Sequence, residues 1–208
     1  MSKIQITNIL IPSVKESFED NIKIKIDFDA YDLLPNTLDW KIIYVGSANS
    51  CDYDQVLESF SFPVEQIGNC SFGVSISPPN PKLIPSLEDL LGATLLMISV
   101  VYNGEEFFRC SYFVYNNFED ENYIQSLGNN NKLYLYILIF QDLSTLSPAN
   151  IDPKKISRFI LTDKPRIKIN DIDWECNEKK MVQEIIKTNQ DELDSINMVN
   201  QNMVEMVN

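Results

Sequence analysis

Residues 92–117 read GATLLMISVVYNGEEFFRCSYFVYNN. Two apolar runs flank Asn103-Gly104, a dipeptide that favours hairpin turns because both residues tolerate a left-handed backbone. Register then decides which residues share a face, since side chains alternate along a strand. A two-residue turn would set Cys110 opposite Met97 and Arg109 opposite Ile98, mixing the charge into an oily face. A three-residue loop, Asn103 to Glu105, sets Leu95 opposite Phe113, Met97 opposite Ser111 and Ser99 opposite Arg109. Leu96, Ile98, Val100, Phe108, Cys110, Tyr112 and Val114 then share one dry face. The three-residue register is therefore preferred, and its dry face is predicted to be core. Leu95, Met97, Arg109 and Phe113 fall on the other, mixed face. An apolar patch holding one arginine is typical of a binding surface. An ordinary solvent face covered by a loop has the same composition.

Other strands lie upstream. Ile22, Ile24, Ile26, Phe28 and Ala30 alternate with Lys23, Lys25, Asp27 and Asp29, a period of two with one wet face and one buried face. Thr37 to Val45 (TLDWKIIYV) predicts a second strand, closed by Gly46, and Phe72 to Ser77 a short third. Prolines at 78, 79, 81 and 85 suit a loop crossing the fold, not a sheet centre. Short strands divided by turn signals predict an all-β sandwich.

The bulk composition narrows the function. Seventeen basic and thirty acidic residues in 208 give a formal net charge of −13. Such a surface repels phosphate and attracts basic partners, so direct nucleic-acid binding is not expected. No run approaches the roughly 20 apolar residues of a membrane helix. The start, MSKIQITNIL, lacks an apolar core of signal-peptide length, which predicts an intracellular protein. The cysteines at 51, 70, 110 and 176 form no C-x-x-C pair. They read as reduced thiols, Cys110 as core filler. Histidine is absent, which removes Ser-His and Cys-His catalysis and the commonest metal ligand. Neither a P-loop nor G-x-G-x-x-G occurs. Asp52 with Asp54, or Glu88 with Asp89, are the obvious carboxylate pairs, but an acidic chain offers such neighbours by chance. No enzyme, cofactor or metal is expected.

Lys132 to Phe140 (KLYLYILIF) is an abrupt apolar run, which reads either as an inserted strand or as a loop tucked on the sandwich. Exposed, it would be an aggregation hazard. The alternation Arg166-Ile167-Lys168-Ile169 ends the structured-looking part. From Glu175 the chain is polar, with Val182, Ile186, Leu193, Ile196, Met203 and Val207 at loosely helical spacing. A partner-binding amphipathic helix and a mobile tail with transient helix both fit. The organisation expected is one domain over 1–174 and a tail over 175–208.

Six stretches in order carry a family resemblance: IQITNI near the start, LDWKIIYVGSA at 38–48, YDQVL at 53–57, PNPKLIP at 79–85, the hairpin at 92–117, and LTDKPRIKINDIDW at 161–174. They resemble the anti-silencing-function histone chaperones over about 1–122 and 156–174, with an insertion about 123–155 that is longer than the family's usual one. The resemblance implies an elongated immunoglobulin-like sandwich with Greek-key connections. It implies a non-enzymatic nuclear protein, with or without passage through the cytoplasm, that binds one dimer of histones three and four. The C-terminal helix of histone three would lie on the mixed face and so block tetramer formation. The histone four tail would add as a strand to the last segment. Matching positions are Val45, Asp54, Asp89, Leu95, Arg109 and Phe113 for histone three. Asp54 and Asp89 would meet basic histone side chains and Arg109 a carboxylate. Lys164, Pro165, Arg166, Ile167 and Lys168 would form the strand for histone four.

The family also binds basic peptides of downstream nucleosome-assembly chaperones on the opposite edge. Glu58, Phe60, Phe62 and Phe72 match that edge, but Asn36 and Thr37 stand where members carry an acidic pair. Phe113 stands where they usually have tyrosine, and Leu95 where they have valine. The competing reading is a sandwich adaptor that binds an unrelated peptide by sheet-edge addition.

Overall fold

The computed structural model describes residues 2–118 and 147–175. Among the described residues, nine strands form two antiparallel sheets. The strands are β1 (Ile4–Leu10), β2 (Lys15–Ser17), β3 (Ile22–Ala30), β4 (Leu38–Tyr44), β5 (Gln55–Phe62), β6 (Gly68–Ile76), β7 (Gly92–Tyr102), β8 (Glu105–Phe118) and β9 (Ile156–Ile169), with one short helix, α1 (Leu87–Leu90). The smaller sheet has the order β1-β3-β6, the larger β2-β9-β8-β7-β4-β5. The chain crosses between sheets after β1, β2, β3, β5 and β6, as in a sandwich. Residues 2–172 belong to this unit, and the described residues 173–175 lie in a second one. The 132–140 run and the tail pattern from Val182 to Val207 lie outside the described residues.

The alternation in β3 sends every second residue inward, and Ile22, Ile24, Ile26, Phe28 and Ala30 are all buried. Opposite them lie Leu38, Trp40, Ile42 and Tyr44 of β4 and the predicted dry face of the hairpin, from Leu96 to Val114, also buried. Cys110 is core, and burial pushes its thiol above the usual range. Arg158 is the one charged side chain fully enclosed among the described residues. Its guanidinium donates to the carbonyls of Phe18 and Asp20, each at 2.9 Å, with Glu16 at 3.6 Å. Those bonds satisfy a charge that burial alone would make costly, and they tie the end of β2 to β9.

The central hairpin corrects the sequence reading at its tip. The pairs Leu95–Phe113, Met97–Ser111 and Ser99–Arg109 occur as expected. The loop, however, is not the three residues Asn103 to Glu105. Tyr102 pairs with Glu105, and Asn103 and Gly104 alone make the turn, with φ of 51° and 82°. The register shifts between Val100 and Val101, where Val100 faces Phe108 and Val101 faces Glu106. Phe107 is the extra residue of a bulge. A two-residue turn plus one bulged residue displaces the strands as much as a three-residue loop would.

Candidate functional site: the outer face of the larger sheet

Directly opposed residues of paired strands share a face, so the registers lay out the mixed face in rows. Leu95 faces Phe113, and Phe113 faces Leu161 of β9. Val45, just past β4, joins them by donating its N–H to the Leu95 carbonyl at 2.9 Å. The row Val45–Leu95–Phe113–Leu161 is wholly apolar and half-buried. Toward the hairpin turn comes Val56–Ile43–Met97–Ser111–Arg166. Next comes Ser59–Lys41–Ser99–Arg109–Lys168. On the other side Ala93, Tyr115 and Phe159 align. Exposed Val56, Tyr115 and Phe159 widen the apolar field.

Two features here escape a sequence reading. Arg109 is already held: its Nε and Nη2 donate to Glu106 Oε2 at 3.0 and 2.9 Å, and Ser99 Oγ donates to the same oxygen at 2.5 Å. Glu106 reaches Arg109 because the bulge at Phe107 turns it onto this face. Arg166 places its guanidinium 4.9 Å over the Phe113 ring. Neither contact follows from strand alternation.

The acids stand at the opposite end. Gly46 and the short 3-10 helix Cys51–Tyr53 fold back on each other, and a Cβ on Gly46 would meet the Tyr53 carbonyl oxygen at 2.0 Å. This close approach brings Asp54 back to Gly46, whose N–H donates to its carboxylate. Asp54 Oδ1 is nevertheless buried without a hydrogen-bond partner. Burial holds this carboxyl above its ordinary range, offset in part by the Gly46 N–H. Asp89 lies in α1, where Ser86 caps it reciprocally: the Asp89 N–H donates to Ser86 Oγ at 3.0 Å, and Ser86 Oγ donates to Asp89 Oδ2 at 2.6 Å. Asn116 anchors α1 by donating to the Leu90 carbonyl at 2.9 Å.

The last strand has an open edge. β2 covers β9 over Ser157 to Phe159, and the Ile160 N–H reaches the Val14 carbonyl. Beyond that point β9 pairs only with β8 among the described residues. Asn170 donates to the Phe107 carbonyl at 2.9 Å. Alternation therefore turns the backbone groups of Lys168 and Arg166 toward β8 and those of Ile167 and Ile169 outward. Both isoleucines are exposed, at 59% and 73%. Lys164 and Pro165 belong to β9 but lie in its register shift, opposite no β8 residue.

On the far side, β5 and β6 are the outer strands of their sheets. Phe60, Phe62 and Phe72 fill the gap between them, half-buried, with Phe72 5.0 Å from Phe62, 5.6 Å from Phe60 and 5.2 Å from Trp40. Glu58, opposite Ile42, is half-buried at the same edge. Asn36 donates to Asn103 of the hairpin tip at 2.8 Å, and Thr37 contacts Asp39, which also accepts from Ser61 at 2.6 Å. Asp39, which sequence reasoning passed over, lies near this edge on the outer face of the larger sheet, in line with Lys41.

The described residues hold no group of three or more metal-ligating side chains and no helix long and apolar enough to cross a membrane.

Comparison with known proteins converges on one family. A family model described as ASF1 like histone chaperone matches residues 1–175. A probable histone chaperone ASF1A of Arabidopsis thaliana is 33% identical over 86% of this chain and 81% of its own. Histone chaperone asf1b of Xenopus tropicalis is 32% identical over 89% and 82%, and histone chaperone cia1 of Schizosaccharomyces pombe 33% over 84% and 61%. A solved β-glucuronidase of Bacteroides uniformis aligns over 57% of this chain and 13% of its own, at 15% identity and a TM-score of 0.31, too loose to bear on fold or function. The sandwich with an apolar face uncovered among the described residues, and the match across nearly all of its length, lead to one conclusion: the chain belongs to the ASF1-like histone chaperones, a non-enzymatic family.

Proposed function

We propose that this protein holds one dimer of histones three and four and keeps two such dimers from pairing. The observation that carries this is the apolar row Val45–Leu95–Phe113–Leu161, uncovered among the described residues, with Asp54 at one end and Arg109 two rows toward the other. An amphipathic helix of histone three lies across that row. Asp54, with its unpartnered oxygen, and Asp89 meet basic histone side chains. The histone four tail adds to the open edge of β9, from Lys164 to Lys168, using the outward backbone groups of Ile167 and covering its exposed side chain. Strand addition supplies main-chain hydrogen bonds there; the sheet face supplies the apolar contact.

On the opposite edge, other nucleosome-assembly chaperones bind the Phe60, Phe62 and Phe72 cluster, with Glu58 beside it. With Asn36 and Thr37 uncharged, apolar contact carries that binding, and its salt dependence is mild. The histone-binding domain runs over 1–174 and acts in the nucleus, handing histones over for nucleosome assembly and disassembly. Sedimentation of the protein with purified histones three and four tests the central claim. One chaperone per histone pair is expected. A stable particle with two copies of each histone and a single chaperone would refute it.

A further inference from the structure

The row below the apolar field is cationic, on a chain whose net charge is −13. Lys41, Arg109 and Lys168 lie in register across β4, β7, β8 and β9, with Ser99 between the first two. Three strand spacings put Lys41 and Lys168 about 14 Å apart. Both are exposed, and among the described residues neither has an ion-pair partner. Arg166 adds a fourth cation one row up, over Phe113. Of the acids beside this row, Glu106 is bonded to Arg109 and Ser99, while Asp39, two residues along β4 from Lys41, accepts from Ser61 and makes no ion pair with that lysine. Solubility does not ask for this row, because the rest of the surface already carries ample charge.

We infer that Lys41 and Lys168, standing on either side of Arg109, receive acidic side chains of the histone pair. This rests on the histone-binding reading above. The face is then read along the strands: Asp54 takes basic residues at one end, the apolar row takes the helix stripe, and the lysines take acidic residues at the other. The two ends set the direction in which the partner lies. Charge complementarity of this kind fixes register and rejects wrong partners more than it adds raw affinity.

The sign of one charge change tests this. Lys41→Glu with Lys168→Glu moves the net charge from −13 to −17, two units per substitution. If only the overall field mattered, a more acidic protein would bind basic histones more tightly. If the row makes contact, the same variant binds more weakly, by roughly ten-fold or more. Lys23→Glu with Lys25→Glu, on the wet face of the smaller sheet, is the control of identical net charge. Its affinity for the purified histone pair should equal or exceed that of the wild type. Lys41→Met with Lys168→Met, which cannot repel, should fall between. The inference is overturned if Lys41→Glu with Lys168→Glu binds as well as the control while the wild type binds normally. A wild type that captures no histones removes the histone-binding reading itself, and this inference with it. A short DNA duplex titrated in parallel should not bind. A duplex held by the wild type and released by the double glutamate variant, with histone affinity unchanged, would make the row a phosphate site instead.

Discussion

The guanidinium of Arg166 lies 4.9 Å from the centroid of the Phe113 ring, and the irregularity of β9 puts it there. Leu161 faces Phe113, while the next residue in register on this face, opposite Ser111, is Arg166. Thr162 to Pro165 are skipped. In an unbroken ladder Asp163 would stand opposite Ser111, and an acid would lie beside the ring. The irregularity replaces it with a cation, which the negative face of the ring attracts.

Arg166 and Phe113 should therefore be energetically coupled. Arg166→Ala, Phe113→Ala and the double variant, unfolded in urea, should close a cycle with a coupling of about 0.5–1 kcal/mol. Arg166→Lys should keep only part of it, since an ammonium cannot stack its plane on a ring. Strict additivity of the two single variants would mean that the stacking contributes nothing to the fold.

The pair also marks how far the sequence could be read. Alternation was enough for the body of the β7–β8 hairpin, because burying Arg109 among Ile98 and its neighbours would have been too costly. It was not enough for the tip. Phe107 and Phe108 are both apolar and both buried, so nothing in the pattern shows which of them bulges. The same bulge hides Glu106, whose place beside Arg109 depends on it. Arg166 was legible as part of an exposed edge strand, but not as the neighbour of Phe113. A skip spanning Thr162 to Pro165 shifts register without disturbing composition, although Pro165, which cannot donate to the ladder, hints at one. Asp54 stood out in the sequence as one of a carboxylate pair, but as a histone contact only through resemblance. Its buried oxygen follows from the close approach of Gly46 to Tyr53, a contact no period describes.

Asp54 should trade stability for binding. Its Oδ1 is buried and unpartnered, and burial raises its carboxyl above the ordinary value of 3.8. The folded state then takes up a proton more readily than the unfolded chain. The contribution of Asp54 to stability accordingly falls as pH rises from 3.8 through the folded value, and levels off above it. Asp54→Asn removes that penalty. The variant should melt at a higher temperature than the wild type at neutral pH, and the gap should close as the pH is lowered past 3.8. Its affinity for the histone pair should drop, because a basic side chain loses its charged partner. Melting curves across pH settle the first part; a gap that ignores pH, or a variant less stable throughout, would show that burial of this charge carries no cost.

Leu95 and Leu96 separate binding from folding within one peptide unit. Leu95 is half-buried on the mixed face, between Val45 and Phe113, and Leu96 is fully buried against the core. Leu95→Arg puts a guanidinium on an open face, where the long side chain can reach water. The domain should fold and keep its melting transition. Histone affinity should fall by roughly 2–4 kcal/mol, about 30- to 1000-fold, because the charge would be covered without a partner at the centre of the contact. Leu96→Arg puts the same charge among Ile98, Tyr112 and Tyr44, with no room to reach solvent, and should unfold the domain. Circular dichroism and histone capture, run on both variants, read the two failures apart. A folded Leu96→Arg that has lost histones, beside a Leu95→Arg that melts, would put the hairpin one residue out of register. Two folded variants that both bind would place the histones on another surface, and the apolar row Val45–Leu95–Phe113–Leu161 would then need a different occupant.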